Sequence, residues 1–140
     1  MNKQNIELIR RHMRLEEQGD SDAVLDDMVD PPSYYLAAAD AWVHGRAGVQ
    51  EIHRSLNARF PVVKIEIKAV GADDTNGFAE VVVSGTLSRD AFGHKAGTWV
   101  CNTTASIFEF KDGKIACERV YSIPNYTTTP KDGKGKRVAS

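Results

Sequence analysis

The chain predicts an α+β fold, and three observations carry that prediction. Apolar residues recur at helical spacing in three stretches before residue 60, whereas from residue 63 the pattern changes to strict alternation. The last two alternating segments are joined by Asp112-Gly113, the favoured centre of a two-residue hairpin loop. The length of 140 residues suits one domain, long enough to bury a core without disulfide or metal staples.

In the first stretch, Ile6, Ile9 and Met13 form one row, with Leu8, His12 and Leu15 beside it, predicting a helix over about 4–17 that ends at Gly19. Asp20 or Ser21 caps a short second helix through Met28 or Val29, with Val24, Leu25 and Met28 inward, stopped by Pro31 and Pro32. Ser33 to Ala38 reads as a strand, and the stretch holding Asp40, Trp42 and His44 has no clear pattern. Val49, Ile52 and Leu56 define a third helix over about 46–59, before Pro61. A four-stranded antiparallel meander follows: Val63 to Ala69, Gly77 to Arg89, Thr98 to Phe110 and Lys114 to Ile123.

The body is expected to span 1–125, and 126–140 to form a disordered basic tail; from Thr127 it holds four basic residues against Asp132. A net charge of −1 lacks the basic surplus that phosphate binding needs, so nucleic acid is not an expected partner. Arg10, Arg11, Arg14, Glu16 and Glu17 break any apolar leader, and no window is apolar for the ~18 residues of a membrane span. A cytoplasmic protein with no membrane partner is therefore expected. Cys101 and Cys117 read as free thiols.

Regular pairing across Asp112-Gly113 makes facing residue numbers sum to 225. Phe110 then faces Ile115, Phe108 faces Cys117, Ser106 faces Arg119, Thr104 faces Tyr121 and Asn102 faces Ile123, all on one side. A bulge would flip the inward set. That side runs from apolar Phe108 and Ile115 to polar Asn102, Thr104, Arg119 and Tyr121, as one end of a ligand cavity would. An inward guanidinium needs a partner, so Arg119 is expected either to anchor a carbonyl or carboxylate ligand or to pair with an acid such as Asp40, Asp30 or Glu80. The other side, with Ile107, Ala105 and Val120, is the expected contact of a homodimer.

Gly19-Asp20-x-Asp22-Ala23, His44-Gly45-Arg46-x-Gly48-Val49, Gly85-Thr86, Phe108-x-Phe110-x-Asp112-Gly113-Lys114-Ile115 and Glu118-Arg119-Val120-Tyr121 occur in that order. Over about residues 3–125 the chain resembles the nuclear-transport-factor-two-like superfamily, above all its SnoaL-like polyketide cyclase branch, which is related to the ketosteroid isomerases. The resemblance implies a cone-shaped fold: three N-terminal helices packed on a curved antiparallel sheet. It also implies a small-molecule pocket, and for catalytic members an isomerase, aldol-type cyclase or dehydratase acting beside a carbonyl. The pattern departs where the family often carries an Asp after the last-strand Tyr: Ser122, Ile123 and Pro124 follow Tyr121 here.

Asp40 and His44 remain as candidate acid or base residues, each also suited to a turn or helix-entry role. His12 and His53 read as packed or solvent-facing. Tyr35, Trp42, Asn102, Thr104, Arg119 and Tyr121 are the candidate ligand-binding residues, for a small apolar or carbonyl-bearing molecule. No His-x-x-x-His or comparable spacing is present, so no metal and no cofactor are expected. Two functions compete: proton transfer beside a carbonyl on an apolar substrate, and a noncatalytic ligand-binding or dimerisation module that has lost the family's acid.

Overall fold

The computed structural model of the chain describes residues 1–123 and 125–130. Helix α1 (Lys3–Gln18) starts at Asn2, whose side chain accepts from the Asn5 N–H, and stops at Gly19 with φ 72°, a left-handed conformation that glycine adopts without strain. Asp20 caps α2 (Ser21–Asp26) by accepting from the Ala23 N–H at 3.1 Å. This helix is shorter than expected, because Met28 already belongs to strand β1 (Met28–Leu36).

The patternless stretch contains a strand. After one 3₁₀ turn at 37–39, β2 (Ala41–His44) pairs back on β1, with Tyr35 opposite Trp42 and Ser33 opposite His44. Helix α3 (Arg46–Arg59) follows, then β3 (Val63–Ala72), β4 (Asn76–Thr86), β5 (Trp99–Lys111) and β6 (Lys114–Tyr121). The six strands form one sheet in the order β2-β1-β6-β5-β4-β3. The expected α+β architecture of three helices on a curved sheet is present, but the sheet is mixed: β1 lies parallel to β6. The chain leaves the β1–β2 hairpin through α3 to reach the far edge at β3, and the meander then returns to β1 from the other side. Between Met28 and Ser33 the β1–β6 register shifts, where Pro31 and Pro32 have no N–H to offer the ladder.

The helices cover one face of the sheet. Ile9, Leu25, Val49, Val81, Phe108 and Ile115 are buried there in one cluster, each side chain worth roughly 1.5–3 kcal/mol of transfer free energy. A second cluster of Phe60, Val63, Leu87 and Val100 is flanked by Phe92 and Tyr126, whose rings stack at 4.2 Å. Residues 126–129, at the start of the expected tail, lie against β5: Thr127 pairs with Cys101 through both backbone groups. The rest of that tail, 131–140, is outside the described residues.

One register expectation is corrected, and it decides the site. Lys111 faces Lys114 and Phe110 faces Ile115 as expected, but the next pair is Glu109 with Cys117, leaving Ala116 as an extra residue on β6. From there every pair is displaced: Phe108 faces Glu118 instead of Cys117, Ile107 faces Arg119, and Ala105 faces Tyr121. A single bulge residue turns the following side chains to the opposite face, because strands alternate with period two.

Candidate functional site

The bulge places Glu118, not Arg119, on the helix-covered face. There it meets residues from three other elements. His12 and Glu16 sit one turn apart on α1, Tyr34 faces inward from β1, and His53 comes from α3. His12, Tyr34 and Glu118 are at most 2% exposed, whereas His53 and the Glu16 side chain are 7% and 16% exposed.

The polar atoms converge tightly. His12 Nε2 lies 3.0 Å from Glu118 Oε2, 3.2 Å from Tyr34 Oη and 3.3 Å from Glu16 Oε1. The Tyr34 hydroxyl donates to Glu16 at 3.2 Å, and His53 Nε2 stands 3.3 Å from Tyr34 Oη and 3.5 Å from Glu16 Oε1. The Nδ1 atoms of both imidazoles are buried with no partner among the described residues. Phe108 packs its ring edge-on against His12 at 5.9 Å, forming an apolar wall.

Burial alone would lower the His12 pKa, yet the hydrogen bonds and charges of Glu118 and Glu16 outweigh it and raise the value from 6.5 to about 10. Burial pushes Glu16 upward, and hydrogen bonds from His12 and His53 overcome it, holding the carboxyl well below its usual range. Burial, reinforced by both carboxylates, keeps the Tyr34 phenol well above 10, so it remains a neutral donor. The array is thus an imidazolium and a phenol hydroxyl facing ionised carboxylate, able to accept a proton on one side and donate on the other. It reaches the surface at a narrow crevice of about 10 Å³ between α1, α2 and α3, bordered by Glu16, Gly19, Ser21, His53 and Asn57. That is room for about one water molecule.

The residues singled out from sequence lie elsewhere. Arg119 is on the outer face and pairs with Glu109 rather than with Asp40, Asp30 or Glu80. Tyr121 is also outside, its ring 6.4 Å from Tyr35, which contacts Trp42 at 5.0 Å; Trp42 in turn stacks on His44 at 5.7 Å. Asp40 adopts a left-handed turn conformation and accepts from the Tyr35 hydroxyl at 2.8 Å, while His44 Nδ1 meets Ser33 Oγ at 2.9 Å. Asp40 and His44 are both exposed and sit at the β1–β2 edge of the sheet, apart from the inward cluster. Asn102 and Thr104 do come together with Tyr121, lining an open groove of about 470 Å³ where β5 runs on beyond the end of β6. There Asn102 donates to the Ile123 carbonyl at 2.6 Å and Thr104 to Ser122 Oγ at 3.3 Å.

Glu16 and Glu118 carry no candidate role in the sequence, and Tyr34 reads there only as aromatic area for a pocket wall or a dimer interface. The one legible signal was His12 and Glu16 four apart on the face that also carries Ile9 and Met13. Glu118 could not be found without the bulge.

The SnoaL-like domain model matches residues 9–118, which spans α1 to the inward Glu118. The chain belongs to the SnoaL-like domain family. Among solved structures, this SnoaL-like chain is similar to a SnoaL-like polyketide cyclase from Agrobacterium tumefaciens, with 15% identity and TM-score 0.70, covering 86% of this chain and 91% of that one. It is also similar to SalBIII, an epoxide hydrolase/cyclase-like enzyme of pyran ring formation in salinomycin, with 21% identity and TM-score 0.69, covering 83% and 88%. An LEH-like epoxide hydrolase of M. tuberculosis matches at 19% identity and TM-score 0.67, covering 86% and 83%. These likenesses establish the shared fold. No curated protein matches the chain. Among the described residues, no helix is long and apolar enough to cross a membrane.

Proposed function

We propose that this SnoaL-like protein is a small-molecule enzyme that moves a proton beside a carbonyl on a largely apolar substrate, using the inward cluster. The observation that carries this reading is the convergence of two carboxylates, two imidazoles and a phenol within 3.0–3.5 Å inside an apolar core. Buried ionic groups cost several kcal/mol each in desolvation, and well-packed apolar residues of similar volume usually serve stability as well or better. A cluster kept at such a cost in a concave interior is a functional-site candidate.

Glu16, at the crevice, is the carboxylate placed to take a proton from the carbon next to the carbonyl, once the substrate has displaced the hydrogen bonds from His12 and His53 that hold it a weak base at rest. The C–H electron pair then becomes the enolate, whose oxygen is stabilised by donation from Tyr34 or His12. Returning the proton at another carbon gives isomerisation; delivering it to a β-hydroxyl releases water. The resting crevice holds about one water molecule, so a substrate needs it to widen. The protein works in the cytoplasm as a homodimer through the outer sheet face, where Trp42, Phe78 and Tyr121 are about half exposed. Val120, expected on that face, packs against the core instead.

The test is α-proton exchange in D₂O, followed by NMR over a panel of cyclic enolisable ketones. The wild-type protein should accelerate exchange for at least one, and Glu16→Gln should reduce the rate about 10²–10⁴-fold while the fold is retained. A ketone that binds without exchange, with contacts at Asn102, Thr104 and Tyr121, would instead establish the noncatalytic binding module, which the 470 Å³ groove favours.

A further inference from the structure

The inward cluster has the donor set and spacing of a metal centre. We propose that His12 Nε2, Glu16 Oε1 and Glu118 Oε2 bind one first-row divalent transition-metal ion, with His53 Nε2 and Tyr34 Oη completing its surroundings. This goes beyond the acid–base reading and departs from the expectation, drawn from sequence spacing, that the chain holds no metal.

Three features support it. Ligand atoms about 2.1 Å from a common ion stand roughly 3.0 Å apart at right angles and 3.4 Å apart in a tetrahedron. The His12 nitrogen lies 3.0 Å and 3.3 Å from the two carboxylate oxygens, and all three atoms fall within 4.8 Å of one another. Second, His12 Nε2 carries at most one hydrogen but faces three oxygens, those of Glu118, Tyr34 and Glu16, at 3.0–3.3 Å. One proton serves one of them well; a cation between them serves all. Third, two carboxylates, Glu118 buried and Glu16 part-exposed, match the charge of a divalent ion when His12 is a neutral ligand. Mixed imidazole and carboxylate donors select zinc, iron, cobalt or manganese over the all-oxygen preference of calcium and magnesium. Glu16, part-exposed at the crevice, provides the way in.

The experiment is a Co²⁺ titration of chelator-treated protein, read by visible absorption, with zinc competition and elemental analysis of the protein as purified. One saturable equivalent is expected, displaced by Zn²⁺. Glu118→Gln and the rim variant Glu16→Gln should each weaken binding at least 100-fold, and His44→Ala, outside the cluster, should leave it unchanged. If Glu118→Gln fails to fold, Glu16→Gln alone decides. No saturable absorption in the wild type overturns the proposal. So does binding that survives Glu16→Gln but is lost in His44→Ala, which would mark a surface site. Proton exchange measured on the chelator-treated protein reports separately on the acid–base function, so either reading can fail alone.

Discussion

Glu118 Oε2 lies 3.0 Å from His12 Nε2, and neither side chain is more than 2% exposed. Removing one partner of such a pair strands the other charge in the core. Glu118→Ala should therefore destabilise the fold by about 3–5 kcal/mol in urea denaturation. The double variant His12→Leu/Glu118→Leu, which replaces both charges by apolar volume, should lose less than the single variant. An equal or larger loss in the double variant would mean that the ion pair contributes net stability.

The same cluster predicts a stability maximum in mildly acidic solution for metal-free protein. His12 has a folded pKa raised from 6.5 to about 10, so its contribution is complete below pH 6.5 and is lost as pH climbs from there to about 10. Glu16 has a lowered pKa, so its contribution is present above its ordinary value of 4.5 and fades as the pH falls below it. Thermal melts across pH 3–10 should peak between roughly 4.5 and 6.5, the two unshifted values. A curve still rising from pH 7 to 9 would contradict the assignment to His12.

Arg119, on the outer face, is bound to a part-exposed Glu109. Arg119→Met should cost only about 0–1 kcal/mol in chemical denaturation, the usual worth of such a pair, and should leave proton exchange unchanged. Loss of exchange in this variant would return the site to the outer face.

Gly85 has a steric role. A Cβ there would meet the Val62 carbonyl oxygen at 2.7 Å and the Phe60 ring at 3.1 Å. The carbonyl belongs to the backbone and has little freedom to move, so Gly85→Ala should destabilise by about 1–3 kcal/mol as an overpacking change. A melting temperature within error of the wild type would show that the α3–β3 connection yields.

Cys101 and Cys117 are free and buried, and burial raises the Cys117 thiol. A thiol reagent should label neither in the native protein within minutes and both in denaturant. Fast native labelling of Cys117 would mean that its surroundings on β6 open readily.

The sequence determined the elements on its own wherever the signal was local. Ile6, Ile9 and Met13 set α1, the alternation from Val63 onward set the long strands, and Asp112-Gly113 set the hairpin, since each depends on neighbours a few residues apart. Tertiary structure decided what those elements face. The extra residue at Ala116 leaves no local signature in the sequence, and it exchanged Arg119 for Glu118 on the inner side of the sheet. The parallel docking of β1 on β6 brought Tyr34 into register with Glu118 across more than eighty residues of chain. His12, Glu16, Tyr34, His53 and Glu118 are unremarkable one by one in the sequence, and they become a site because four elements bury them against the same core.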